Sequence, residues 1–558
     1  MVAGTDSRWA RARVRARTLA LVLALTAAIA FGGVLQACGG GQGDDAVGSI
    51  TVGLSAPPDS LDPALSFSPE VFESLWLVYT PLLTYEHAEG ESGTELIPGL
   101  AEALPEVSDG GRRYELRLRG GIEYSDGTPV RASDFEHTVK RVLALESPGT
   151  PFFSGIEGAD EFLKAGRPDD DISGIEADDR TGEIAIELKA PDATFSNVLA
   201  TTFAGLVPGD TPARNMTQEP PPGVGPYQFA GAERSGGFAL ERTAGFDLPG
   251  IPAPELDGVN AEVVRDASRA TEDVISGRLD YIVNPPAPDQ LAEVRERYAD
   301  RYDEFSTTSI YYFFMRPDLE PFDDRRVRQA VNLAIEERAI VRLFGGLLQP
   351  TCNVIPPSVP GHEPLDPCPY GDPNGPADLE RARQLVEAAG ATGEQVTVWG
   401  NSEPEPERVT EYLADALNQI GLDAEPRIIG PSVYFQTVGN ERTEAQIGFA
   451  NYFLDFPHPA NVLSIVDGDL VQQRATLNIG RVDDPRLNDR LDDLRRVPRV
   501  ETVEEEWAAV DAEIVRQAYV APFGNRKLTT FVSERMDPDC ALVHPVFGHD
   551  YTSFCLDG

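Results

Sequence analysis

Apolar residues recur along this chain with two periods, and the two periods take turns. In RYELRLR at 113–119, Tyr114, Leu116 and Leu118 share one face while Glu115, Arg117 and Arg119 share the other, the pattern of a half-buried strand. TGEIAIELK at 181–189 repeats it, and ITVGLS at 50–55 is a shorter example. Helical spacing follows each time. SPEVFESLWLVY at 68–79 opens with Ser68 as cap and Pro69 at the first helical position. After the SDGTP turn at 125–129, Ser133-Asp-Phe-Glu136 reads as a capping box, with Phe135, Val139, Val142 and Leu143 behind it at helical spacing. GVGPYQF at 223–229 is a turn running into a strand. Pro226 and the lack of a following helix exclude a nucleotide loop.

The pattern changes near residue 305. FSTTSIYYFFMRP at 305–317 is β-branched and aromatic throughout and predicts a buried central strand. PFDDRRVRQAVNLAIEERAIVRLFGG at 321–346 predicts an Asp-capped helix, apolar at Val327, Ala330, Val331, Ala334 and Ile335, with its arginines on a solvated face and Gly345 and Gly346 past its end. Helices ending at Gly390 and Gly421 then alternate with strands VTVW (396–399), DAEPRII (423–429) and AQIGFA (445–450). Such alternation implies a parallel sheet with crossover helices, and ligands of such sheets sit beyond the carboxyl ends of the strands.

The segment at that position is NYFLDFPHPANVL, residues 451–463. Asn451, Tyr452, Phe453, Asp455 and His458 are therefore the candidate binding residues. Asp455, among three aromatics, would be desolvated and would gain from a cationic partner such as a substrate ammonium, with aromatic faces adding cation–π attraction. An Asp here would equally cap the helix that follows. His458, between Pro457 and Pro459, reads either as a ligand or metal contact or as a rim residue held by two prolines. No Gly-x-Ser-x-Gly, His-Glu-x-x-His or phosphate loop is present, so no catalytic residue, cofactor or resident metal is assigned and no enzyme is required.

Charge and cysteines place the chain. Its formal net charge is −44, with 91 acidic and 47 basic residues, which repels phosphate backbones and excludes nucleic acid as a partner. Five arginines between Arg8 and Arg17, an uncharged run from Thr18 to Ala37 and then Cys38 follow the order of a secretory signal. A cysteine at the cut resembles a bacterial lipoprotein signal, in which lipid on Cys38 tethers the mature chain to the membrane. Residues 1–37 are then the signal peptide and 38–48 a flexible tether. Cys352, Cys368, Cys540 and Cys555 remain, an even set that in an exported chain predicts the neighbouring pairs 352–368 and 540–555. A metal site is the rival reading, because His544-x4-His549 lies between the last two cysteines.

Several stretches together resemble the extracytoplasmic solute-binding proteins of family 5, the dipeptide, oligopeptide and nickel-chelate receptors of ABC transporters. They are DSLDPAL at 59–65, LIPGLAEALPEVSDGGRRYELRLRGGIEYSDGTPVRASDFEHTVKRVL at 96–143, GVGPYQF at 223–229 and PFDDRRVRQAVNLAIEERAIV at 321–341. The resemblance implies an α/β fold of the periplasmic-binding-protein type II, with two lobes built from three domains, a hinge and a ligand cleft between the lobes. Domain I would comprise 49–80, 206–304 and 521–558, domain II 81–205, and domain III 305–520. It further implies a monomer that hands its solute to an ABC permease. In peptide-binding members an Asp after an aromatic segment pairs with the peptide amino terminus, and Asp455 falls on that position. Tyr452 stands where the family often has Trp, and His458-Pro459 replaces an Asp-Pro. An oligosaccharide or metal chelate is the alternative solute, and an extracellular hydrolase is the alternative class. No counterpart is evident for the arginine that binds the peptide carboxylate in dipeptide members.

Overall fold

The computed structural model describes residues 48–557 apart from 67, 167–169, 233–234 and 475. The signal, nearly all of the tether and the lipidation expected at Cys38 lie outside the described residues.

Strands and helices form largely where the periodicity places them. Ser49–Leu54 is a strand between Gly258–Val263 and Tyr281–Ile282, parallel to both, in a five-stranded sheet that Phe238–Arg242 and Tyr227–Ala232 complete in antiparallel fashion. Arg113–Arg117 and Glu183–Glu187 pair antiparallel at the centre of a four-stranded sheet, with Tyr114 opposite Ile186 and Leu116 opposite Ile184. A cross-strand apolar row of this kind is what the period of two produces.

The third sheet is mixed. Asp423–Ile429, Gln395–Asn401 and Ile447–Phe453 run parallel, as the strand–helix alternation requires. Ser309–Met315 then pairs antiparallel with Ile447–Phe453 on one side and with Val520–Phe531 on the other. Every residue of Ser309–Met315 is buried, which accounts for the apolar and aromatic run from Ile310 to Met315. Close packing here needs a glycine: a Cβ on Gly448 would stand 2.5 Å from the Trp399 carbonyl oxygen and 2.9 Å from the Phe314 ring.

Two large hydrophobic cores result. One gathers residues from Ile50 to Val283 together with the C-terminal stretch from Val532 to Phe554. The other gathers Ile310 to Phe523. Two strand segments connect them. Tyr302–Ser306 and Ser309–Met315 are separated at Thr307 and Thr308, and both pair with the long Val520–Phe531 strand. The single strand expected over 305–317 is thus two strands.

Three local expectations are corrected by tertiary partners. Ser133 makes no cap bond; the helix Ser133–Ala144 begins one residue earlier, and the Ser133 hydroxyl donates to Asp179 at 3.1 Å. Asp134 instead accepts from the Arg131 backbone N–H at 2.9 Å and from the Tyr124 hydroxyl at 2.9 Å. Ser68 occupies its cap position without a side-chain cap bond. Asp324 does cap the helix Arg325–Ala334, but the arginines there are not all solvated: Arg328 is buried and donates to the carbonyls of Phe322, Gln517 and Ala518. A guanidinium can end a buried run of carbonyls because it carries five donors.

The cysteines pair as 352–368 and 540–555. This displaces the metal reading. His549 lies between the Tyr281 hydroxyl, Thr530 and Glu73, and His544 accepts through Nδ1 from the backbone N–H groups of Val546 and Phe547.

Candidate ligand cleft

A cavity of about 650 Å³ opens between the two cores, within the size range of pockets that enclose drug-sized ligands. Phe72, Phe152 and Thr201–Phe203 line it from one core, and Asn451 and Phe453–Asp455 from the other. The parallel strands Gln395–Asn401 and Ile447–Phe453 both end here. Glu403 and Asp455 therefore reach the cavity from just beyond the carboxyl ends, where the topology places a ligand. Further wall comes from Arg526 on the long connecting strand, from Thr307, Thr308 and Tyr311, from Val283–Pro285 and from residues 545–548. The latter belong to the loop that the 540–555 disulfide closes. Gly548 has φ +84°, and a Cβ there would stand 2.6 Å from Glu73 Oε1.

The five candidate residues separate into two groups. Asn451, Phe453 and Asp455 line the cavity. Tyr452 and His458 support it from behind. The Tyr452 hydroxyl donates to Asp455 Oδ2 at 2.6 Å, and Asn461 Nδ2 donates to the same oxygen at 3.1 Å. Asn461 Oδ1 in turn accepts from the Asp455 backbone N–H at 3.0 Å, so the carboxylate is held from two sides. Burial raises the Asp455 pKa above the ordinary carboxylate value, and the two donors only partly offset this. Among the described residues no cation pairs with Asp455. Asp455 does not serve as the cap of the helix that follows.

The cap is His458 instead. It is buried, its Nδ1 accepts from the Ala460 backbone N–H at 3.1 Å, and its ring meets Trp507 edge-on. It does not line the cavity, which corrects its expected role as a ligand or metal contact: two prolines and a cap bond turn the ring into the core.

Burial pushes the pKa of both His458 and His544 down to about 3. A histidine lowered on folding stabilises the fold above its unfolded value, near 6.5, and loses that contribution as pH falls toward the folded value. Urea midpoints measured across pH should therefore fall from about pH 6.5 downward, by up to about 1.4 kcal/mol per pH unit for each group. His458→Asn retains a capping side chain and should flatten this slope while leaving ligand affinity unchanged. A slope identical to that of the natural chain would contradict the assignment.

Arg526 and Glu403 were not singled out from sequence. No local signal marks Arg526, which sits in the mixed stretch NRKLTT of the strand Val520–Phe531 beside a second cation, Lys527.

Two α/β lobes joined by paired strands around a cavity define a two-lobed binding protein. The chain belongs to a family of that class, described as bacterial extracellular solute-binding proteins, family 5 Middle, which matches residues 95–471. It is 28% identical over 334 residues to the glutathione-binding protein GsiB of Shigella flexneri, an alignment covering 58% of this chain and 60% of the relative. The chain thus spans about 60% of the length of the curated relatives it matches. Among solved structures it is similar to the clavulanic acid biosynthesis oligopeptide binding protein 2. That match has TM-score 0.83 and 26% identity, and covers 92% of this chain and 96% of the other. The fold also matches DppA from Helicobacter pylori in complex with peptide STSA, with TM-score 0.70 and 20% identity, covering 92% of this chain and 98% of that one. The type II periplasmic-binding-protein fold expected from sequence is the fold observed.

Proposed function

We propose that this protein is a lipid-tethered extracytoplasmic receptor. It encloses a peptide-like solute between its lobes, pairs the solute's amino terminus with Asp455 and delivers the cargo to an ABC permease. The observation that carries this reading is the uncompensated Asp455 carboxylate, facing the cavity and steadied by Tyr452 and Asn461. An ammonium supplies the missing charge, and Phe453 beside it supplies an aromatic face. Relatives named for glutathione, oligopeptide and peptide binding support a peptide-like cargo. Among the described residues no helix is long and apolar enough to cross a membrane. Lipid on Cys38 would supply the attachment that keeps a monomeric receptor near its permease.

In this reading domain I comprises 49–80, 206–304 and 521–558, domain II 81–205 and domain III 305–520. The five-stranded sheet draws on the first set of segments and the four-stranded sheet on the second, which supports that partition. The paired connecting strands act as the hinge, and ligand favours closure only as far as it binds the closed state better.

Native mass spectrometry of the chain lacking its lipid anchor, purified without denaturation, tests the cargo. The expected result is a bound species of peptide mass that exchanges with added short peptides. A sugar or metal-chelate mass would move the assignment to a non-peptide solute, and no bound or exchangeable species would remove it.

A further inference from the structure

One aromatic side chain crosses from lobe to lobe. Phe456 is buried in the first hydrophobic core, and among the described residues it is the only member of that core contributed by the stretch 305–531. Its near neighbour Leu454 belongs to the second core, so the residues on either side of Asp455 enter different cores. Phe456 is 5% exposed and does not line the cavity. Its ring meets Phe152 of the first lobe edge-on, with centroids 6.4 Å apart. Phe152 packs in turn on Phe203 at 5.9 Å, and Phe203 is seated against Gly149, where a Cβ would stand 2.5 Å from the ring. Phe456 therefore meets a surface that is already packed.

A second contact joins the lobes through the backbone. The Ala193 N–H of the first lobe donates at 3.0 Å to the carbonyl of Arg495, the last residue of the helix Pro485–Arg495. Carbonyls in a final helical turn lack partners within the helix, and this one finds its donor in the other lobe. Both sides of the bond are held. Asp192 Oδ1 accepts from the Thr194 N–H at 3.0 Å and from the Thr194 hydroxyl at 2.7 Å, and the Arg495 side chain pairs with buried Asp467.

Phe456 is also tied to the carboxylate beside it. The His458 N–H donates to the Phe456 carbonyl at 2.9 Å, and the Asp455 N–H donates to Asn461 at 3.0 Å, so one short turn carries both residues. Separating the lobes would expose the Phe456 ring to water and draw Asp455 away from the cavity wall that Phe152 and Phe203 form. Full burial of a phenylalanine shifts an equilibrium by about tenfold or more. Any ligand enclosed between the lobes is bound in proportion to the closed fraction.

We propose that Phe456 is a positioning residue, a latch that crosses the lobes, holds them closed together with the Ala193–Arg495 bond, and slows ligand release without touching the ligand. This rests on the two-lobed receptor reading and is independent of whether the cargo is a peptide.

Small-angle scattering of the chain lacking its lipid anchor, dialysed and with no ligand added, reads the latch by itself. Phe456→Ala should have a larger radius of gyration than the natural chain, and Phe456→Leu, which keeps an apolar side chain, an intermediate one. Stopped-flow binding of trialanine reads its consequence. Phe456→Ala should release the probe at least about tenfold faster with the association rate unchanged, since capture precedes closure. A residue that only filled a core would lower the urea midpoint and leave both readings as they are in the natural chain. Equal radii in the natural chain and Phe456→Ala overturn the latch whatever trialanine does, and so do equal dissociation rates. Radii that differ while trialanine binds neither protein would uphold the latch and remove the peptide reading. Should Phe456→Ala fail to fold, Phe456→Leu decides by the same comparisons.

Discussion

Replacing Asp455 by Asn is expected to weaken binding of a peptide with a free amino terminus by at least about tenfold. Removing one partner of a buried, hydrogen-bonded charge pair costs about 2–5 kcal/mol, most of it from the charge left behind. Asn is the sharp substitution because it preserves shape and keeps an oxygen for the Tyr452 hydroxyl and Asn461, which now share Asp455 Oδ2. Its amide N–H groups, however, would then face the ligand ammonium. The same residue sets the pH dependence. The free-state pKa of Asp455 is raised by burial, and a bound ammonium lowers it. Affinity is then full above the raised free-state value and declines as pH falls through it, beginning at a higher pH than an ordinary carboxylate would allow. Calorimetry across pH should show this decline in the natural chain and its loss in Asp455→Asn. Unchanged affinity in the variant would remove Asp455 from the site.

The largest effect on stability is expected from Arg141→Met. Arg141 and Asp62 are both buried and pair through two parallel bonds, Nη1 to Oδ1 at 3.2 Å and Nη2 to Oδ2 at 2.8 Å. Asp62 also accepts from the Ala64 and Met216 backbone N–H groups, and Arg141 donates to the Pro212 carbonyl, so three separate segments converge on the pair. Methionine leaves Asp62 charged and unpaired in the core, at a cost of about 3–5 kcal/mol. Urea midpoints at constant m-value would register the loss. The double variant Asp62→Leu/Arg141→Met should recover much of it, since replacing a buried pair by apolar side chains is often neutral or stabilising. A loss below about 1 kcal/mol in the single variant would show that the pair contributes little net stability.

The Asp62–Arg141 pair also joins two of the stretches that carry the family resemblance. DSLDPAL and the segment at 96–143 look unrelated in sequence, yet one supplies the acid and the other the base of a single buried bond. Their resemblance to binding proteins was legible. That the two stretches meet in one buried pair was not, because residues 79 positions apart have no local signature of pairing.

The site was partly legible for a related reason. The alternation of strand and helix after residue 378 is a local pattern, and it pointed to residues 451–463, the first three of which prove to be the end of the strand Ile447–Phe453. Within that segment composition did not separate Asp455 from His458 or Phe453 from Tyr452. Strand geometry did, by sending Asn451 and Phe453 to the cavity and Tyr452 behind it. The capping box at Ser133 failed because a neighbouring turn offered Asp179 to the same hydroxyl. Arg328 was read as solvated because helical periodicity does not reveal which carbonyls another segment brings against a polar face.

By itself the sequence determined the alternation of elements, the pairing of four cysteines close in the chain, the acidic surface, and Asp455 as the carboxylate to watch. These depend on spacing over a few residues, which backbone periodicity and loop length translate directly into structure. Only the tertiary structure decided which candidates face the cavity and that the His458 ring is buried against Trp507. The cavity walls come from strands far apart in the chain, and hydrogen-bond register across the sheet, not proximity in sequence, brings them together.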